Sequence, residues 1–142
     1  MKSAKWMLPV TLLVLSGLMV AQSLTNSTVV AQVPFDFMVN NKIIPAGECV
    51  VGSAGYMNEH VLTIRNFDAR KGALSQSARA ETAKPAASTV LVFKRYGDSY
   101  FLSSIRLEGS NWTYQLPENR AEAELRAQNV TASERTLLAS LK

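Results

Sequence analysis

Residues Val90 to Leu107, VLVFKRYGDSYFLSSIRL, decide the fold. Two runs rich in β-branched and aromatic residues flank Gly97-Asp98, and a two-residue loop opening on glycine is a strong hairpin signal. With that loop, Tyr96 faces Ser99, Arg95 faces Tyr100, Lys94 faces Phe101 and Phe93 faces Leu102. Directly opposed residues share a face of the sheet. One face then carries Leu91, Phe93, Arg95, Tyr100 and Leu102, and the other Val90, Val92, Lys94, Phe101 and Ile105. Both faces are apolar away from the turn, which suits a hairpin inside a barrel or sandwich. Arg95 over Tyr100 adds a cation-π contact of about 0.5 to 1 kcal/mol. Rings interleaved with Lys94 and Arg95 also describe a base-stacking platform, but the alternation assigns them chiefly to the core, and no nucleic-acid partner is expected.

Outward from the hairpin, short two-periodic segments continue in both directions. In VPFDFMV, Phe35, Phe37 and Val39 fall on one side and Asp36 on the other, the pattern of a half-buried strand. Asn40-Asn41 tolerates the positive φ values of a tight turn, and Pro45-Ala46-Gly47 bends the chain again. ECVVGSA and VLTIRNF read as further strands, GYMNEH as a loop, and ALSQSARA as a weaker strand after the DARKG turn. Pro85 keeps ETAKPAAS out of a central strand. Trp112 and Tyr114 alternate in a last extended segment. Pro117 suits the first turn of a helix, on which Glu118, Glu122 and Arg126 recur at intervals of four in a solvated, mostly polar pattern. Thr131 and Glu134 have capping-box spacing, which predicts a second helical piece with Leu137, Leu138 and Leu141 as its apolar stripe.

The chain has 142 residues, the length of one domain. Its opening has Lys2 and Lys5, an uncharged run from Trp6 to Ala21, and small residues after it, the order of a secretory signal peptide. An uncleaved anchor is the alternative, but the run is short and interrupted by Pro9 and Gly17. Both Ala21-Gln22-Ser23 and Val29-Val30-Ala31 fit a cleavage site. The expected division is a signal peptide over 1–31, cut near 23 or 31, a β domain over 32–116 and a C-terminal helical segment over 117–142. No stable membrane span is expected after cleavage.

The net charge of +4 includes two lysines of the opening segment; from Gln32 onward thirteen basic residues face eleven acidic ones, so the basic balance says little about partners. Cys49 is the only cysteine, which rules out an intramolecular disulfide. In the middle of ECVV it reads as a buried small hydrophobe, with intermolecular pairing as the alternative. N-x-[ST] sites occur at Asn26, Asn111 and Asn129, and they carry meaning only in a glycosylating host.

The chemical inventory is thin. His60, the single histidine, falls in a loop beside Glu59 with no second imidazole near it in sequence. There is no G-x-S-x-G elbow, phosphate loop or dinucleotide fingerprint. The acidic residues Glu122 and Glu124 fall on the solvated helix and form no paired acid-base site. No catalytic, cofactor or metal residues are assigned, and no cofactor is expected.

Together, VPFDFMVNNKIIPAGECVV, LVFKRYGDSYFLSSI and LPENRAEAEL resemble a family of short exported bacterial proteins without assigned activity. That family joins an F-x-F-x-V strand, a Pro-Ala-Gly-Glu turn, an R-Y-G-[DN]-x-Y-F-L hairpin and a Leu-Pro segment leading into an Arg/Glu-rich helix. The resemblance spans Val33 to about Arg126. It departs at Cys49, where the family more often has an aromatic residue.

These readings converge on a mainly β protein, an antiparallel barrel or sandwich of about six to eight strands with a C-terminal helical segment. The expected role is a non-enzymatic, exported domain, periplasmic or extracellular, that binds a protein or envelope component or serves structurally. Arg95, Tyr96, Trp112 and Tyr114 are its candidate interaction surface. The alternative is a carrier for a small apolar ligand in a pocket lined by Phe35, Phe37, Phe93 and Leu102. A hydrolase is the least favoured reading.

Overall fold

In the computed structural model, residues 28–53 and 60–142 are described, so the expectations for the signal segment, Asn26 and most of the GYMNEH loop lie outside the described residues. The first sheet takes β1 (Val29–Val33), β4 (Gly47–Ser53), β5 (Val61–Asn66), β6 (Lys71–Gln76) and β12 (Ser140–Leu141), in the order β12-β1-β4-β5-β6. The second takes β7 (Ala78–Glu81), β8 (Val90–Tyr96), β9 (Ser99–Arg106), β10 (Trp112–Gln115) and β11 (Ala132–Leu138), in the order β11-β8-β9-β10-β7. There β2 (Phe37–Val39) lies against β9, and β3 (Lys42–Ile44) against β2. The fold is a sandwich, not a closed barrel.

Pleat and turn chemistry set the main features. Asn40 and Asn41 have φ of 46° and 64°, which closes the β2–β3 hairpin as a type I′ turn. Gly97 at φ 61° turns β8 into β9, and the four pairs expected next to that turn all form. Past Phe93–Leu102 the ladder slips: Val92 faces Ser104 and Leu91 faces Ile105, leaving Ser103 as the extra residue of a bulge. Ile105 is thereby moved to the Leu91 face and is fully buried, whereas an unbroken register had placed it beside Val92.

Two continuous segments bend from one sheet into the other. The backbone passes from β6 to β7 at Ser77, whose N–H donates to the His60 carbonyl at 2.7 Å, and from β11 to β12 at Ala139, whose N–H donates to the Thr89 carbonyl at 2.9 Å. These bends, with the short β2 and β3, raise the strand count among the described residues to twelve. Between the sheets, Phe35, Phe37 and Phe93 pack edge to face with centroids 5.0 and 5.1 Å apart, and Phe35 stacks on Tyr100 at 3.7 Å.

The C-terminal expectation needs correction. One helix forms, α1 (Arg120–Ala127), capped by Asn119, whose side chain accepts from the Glu122 N–H at 2.7 Å. Pro117 therefore precedes the helix. Residues 132–141, expected as a second helical piece, are strands β11 and β12. A capping box contributes at one end only, while the β8 edge offers a ladder of seven residue pairs. The apolar residues that reach the core are Leu137, Ala139 and Leu141, spaced by two as a strand requires, and Leu138 is 77% exposed.

Candidate functional site

The four residues expected to form an interaction surface do not come together. Tyr96 and Tyr114 are only 5% and 1% exposed. Tyr114 lies opposite Ile105 on the core face, and Tyr96 packs edge to face on Phe101 beneath α1, so neither ring can meet a partner. Trp112 is partly exposed and has the Arg79 guanidinium 4.9 Å from its ring. Arg95 is exposed, but its Nε donates to the Gly97 carbonyl at 2.7 Å and its guanidinium sits 5.5 Å from the Tyr100 ring, which staples the hairpin. Along β9 the positions opposite Arg95 and next to Trp112 are more than six residues apart, roughly 20 Å of strand.

A different surface emerges on the outward face of the second sheet. Its centre is built from short side chains: Val92 on β8, Ser104 on β9, Thr113 on β10 and Ala80 on β7. Around this floor rise Lys94 and Glu134, paired across β8 and β11, and on the other side Arg106, Glu81 and Thr82. Ser103, Gln115 and Leu116 close one end, and the Ser103 carbonyl accepts from the Leu116 N–H at 2.9 Å. The result is an open, polar groove of about 430 Å³ crossing five strands. Composition alone hid it. Ser104 and Arg106 come to the Val92 face only because the Ser103 bulge shifts β9 against β8, and the β9–β10 register brings Gln115 and Thr113 to the same face.

Beyond Lys94, under α1, Glu122 turns inward and is 6% exposed, contrary to the solvated position expected for it. The Tyr96 hydroxyl donates to Glu122 Oε1 at 3.1 Å, and Lys94 Nζ stands 3.8 Å from the same oxygen. Burial, then the charge of Glu122 and this hydrogen bond, push the Tyr96 hydroxyl pKa upward. The expected i,i+4 pairing is taken instead by Arg120 and Glu124 at 3.2 Å, while Arg126 reaches Glu118 at 3.1 Å.

The one thiol is not poised for nucleophilic chemistry. Cys49 is fully buried in β4, and burial pushes its thiol pKa up to about 11, so the thiolate is disfavoured. Among the described residues no group of three or more His, Cys, Asp or Glu side chains is placed to hold a metal, and no helix is long and apolar enough to cross a membrane. No family model, curated protein or solved structure matches this chain.

Proposed function

We propose that this chain is an exported, non-enzymatic binding module that engages a component of the cell envelope or its surroundings through the groove on the second sheet. The observation that carries this reading is where the open space lies. Phe37, Phe93 and Leu102 are buried core residues where an apolar cargo would sit, with Phe35 packed against Phe93, whereas the polar groove is open to solvent. Core packing by the residues that would line a cargo pocket favours an interaction module over a carrier. The signal-like opening segment and the resemblance to short exported bacterial proteins support the location.

Co-sedimentation with a bacterial envelope fraction tests the reading. The wild-type protein is expected in the pellet. Gln115→Trp, which fills the groove from its exposed rim, and Arg106→Glu, which alters its charge, are each expected to remain in the supernatant. Equal retention of all three proteins assigns binding to another surface, and no retention of the wild type removes the envelope-binding reading.

A further inference from the structure

The groove's floor carries two hydroxyls with no protein partner. Ser104 and Thr113 are 8% and 5% exposed, yet neither side chain hydrogen-bonds to another described residue. No side-chain oxygen of a described buried residue is both sealed from solvent and unpaired, so these two hydroxyls open into the groove. Their residues are otherwise buried, so the hydroxyls are the part of each side chain left to meet a ligand or water in the groove. Ser104 and Thr113 are diagonal neighbours on β9 and β10, which sets them roughly 7 Å apart.

We propose that the groove binds a neutral oligosaccharide, a conclusion that rests on the binding-module reading above. Three observations select this ligand class. The rim has no cluster of one sign: Lys94 is already paired with Glu122, Arg106 stands alone among the basic groups, and Glu81 and Glu134 lie on strands at opposite sides of the groove, so neither a polyanion nor a polycation finds a matching row of charges. Hydroxyls that both donate and accept, carboxylates that accept and a guanidinium that donates match the mixed donors and acceptors of sugar hydroxyls. Val92 and Ala80 flank the two hydroxyls on β8 and β7, and their short side chains leave room above the floor for sugar rings.

The shape agrees. Five strands span roughly 19 Å across the sheet, room for a short chain of sugars and more than one ring needs. An extended peptide recognises a sheet through the unpaired backbone groups of an edge strand. On this face the central ladders of β8, β9 and β10 already use those groups.

Saturation-transfer NMR on the full exported protein supplies the test, with tetrasaccharides of β-1,4-glucose, α-1,4-glucose, β-1,4-mannose and β-1,4-N-acetylglucosamine, and tetragalacturonate as the charged control. At least one neutral tetrasaccharide is expected to receive saturation, and tetragalacturonate none. Ser104→Ala and Thr113→Val are each expected to weaken binding on the order of threefold to tenfold, the size of one hydrogen bond. Both variants should keep the wild-type melting temperature, since the hydroxyls hold nothing within the fold; a structural role for them would lower it. Transfer to no neutral member, equal transfer to tetragalacturonate, or unchanged affinity in both variants overturns the proposal. Groove-dependent envelope retention that the neutral tetrasaccharides do not compete overturns the ligand class alone, whereas absence of retention removes the module reading as well.

Discussion

At Asn66 one side chain holds two turns in place. Its Nδ2 donates to the carbonyls of Pro45 and Ala46 at 3.0 and 3.2 Å, and its Oδ1 accepts from the Ala69 N–H at 3.1 Å. Gly47 beside it has φ of 137°, and a Cβ there would stand 3.1 Å from Asn66 Nδ2, so the Pro-Ala-Gly bend needs its glycine for both conformation and space. Asn66→Ala strands these groups and is expected to lower stability by about 2 to 4 kcal/mol, read as a shift of the urea midpoint without change of slope. Two other residues make stability depend on alkaline pH. The Cys49 thiol, with a folded pKa of about 11, and the Tyr96 hydroxyl, raised in the same direction, both hold their protons more tightly folded than unfolded. Their contribution is complete below the unfolded values of about 8.5 and 10 and is lost as pH rises through the folded ones. The urea midpoint should therefore begin to fall above about pH 8.5; Cys49→Ala delays that onset toward pH 10, and Tyr96→Phe removes a further part of the slope. Folded protein at pH 8 should resist alkylation by iodoacetamide, and rapid labelling would place Cys49 outside the core. Strand parity at Phe93, Tyr100 and Leu102 was legible in the sequence because the Gly97-Asp98 loop sets register. The burial of Tyr96, Phe101 and Glu122 was not, since it depends on α1 covering an outward face that the strand pattern leaves to solvent.

Among the elements, β11 differs most from its expected conformation, and its reason is tertiary. Thr131 and Glu134 satisfy a local helix signal, but a helix here would leave the β8 edge unpaired, whereas the strand gains a full ladder. The two-residue spacing of Leu137, Ala139 and Leu141 was present in the sequence and competes with the spacing of Leu137, Leu138 and Leu141 that a helix would use. Deleting residues 131–142 should therefore do more than remove a loosely docked tail. It uncovers β8, whose partner face includes Leu91 and Phe93, and removes β12 from β1. The truncated protein is expected to lose cooperative thermal unfolding or to aggregate at micromolar concentration. Retention of the wild-type melting temperature would mean that β11 and β12 contribute little to the folded domain. The groove was illegible for a related reason. β8, β9, β10 and β7 each contribute a small outward residue and β11 a rim carboxylate, and their concavity exists only across the five strands together.

For the molecule as a whole, the first and last strands close on each other, which bears on where the proposed export signal would be cut. The backbones of Thr28 and Lys142 exchange two hydrogen bonds of 2.8 Å, Val29 faces Leu141, and β1 pairs with β4 from Val29 to Val33. Val29 is completely buried and Ala31 is 4% exposed. A cut after Ala31 would remove three of the five residues of β1, its pairing with β12, and the burial of Val29, which alone contributes about 2 kcal/mol. Such a loss is a large share of the roughly 5 to 15 kcal/mol that holds a domain together. A cut after Ser23 leaves every described residue of β1 in the mature protein. If the opening segment is cleaved as proposed, the intact mass of the mature protein is therefore expected to correspond to a chain beginning at Leu24. A mass beginning at Gln32 would require the first sheet to stand without the Val29 and Val30 pairs and would separate β12 from its partner. A mass that includes Met1 would identify the opening segment as a retained anchor, and the groove would then act from a tethered domain.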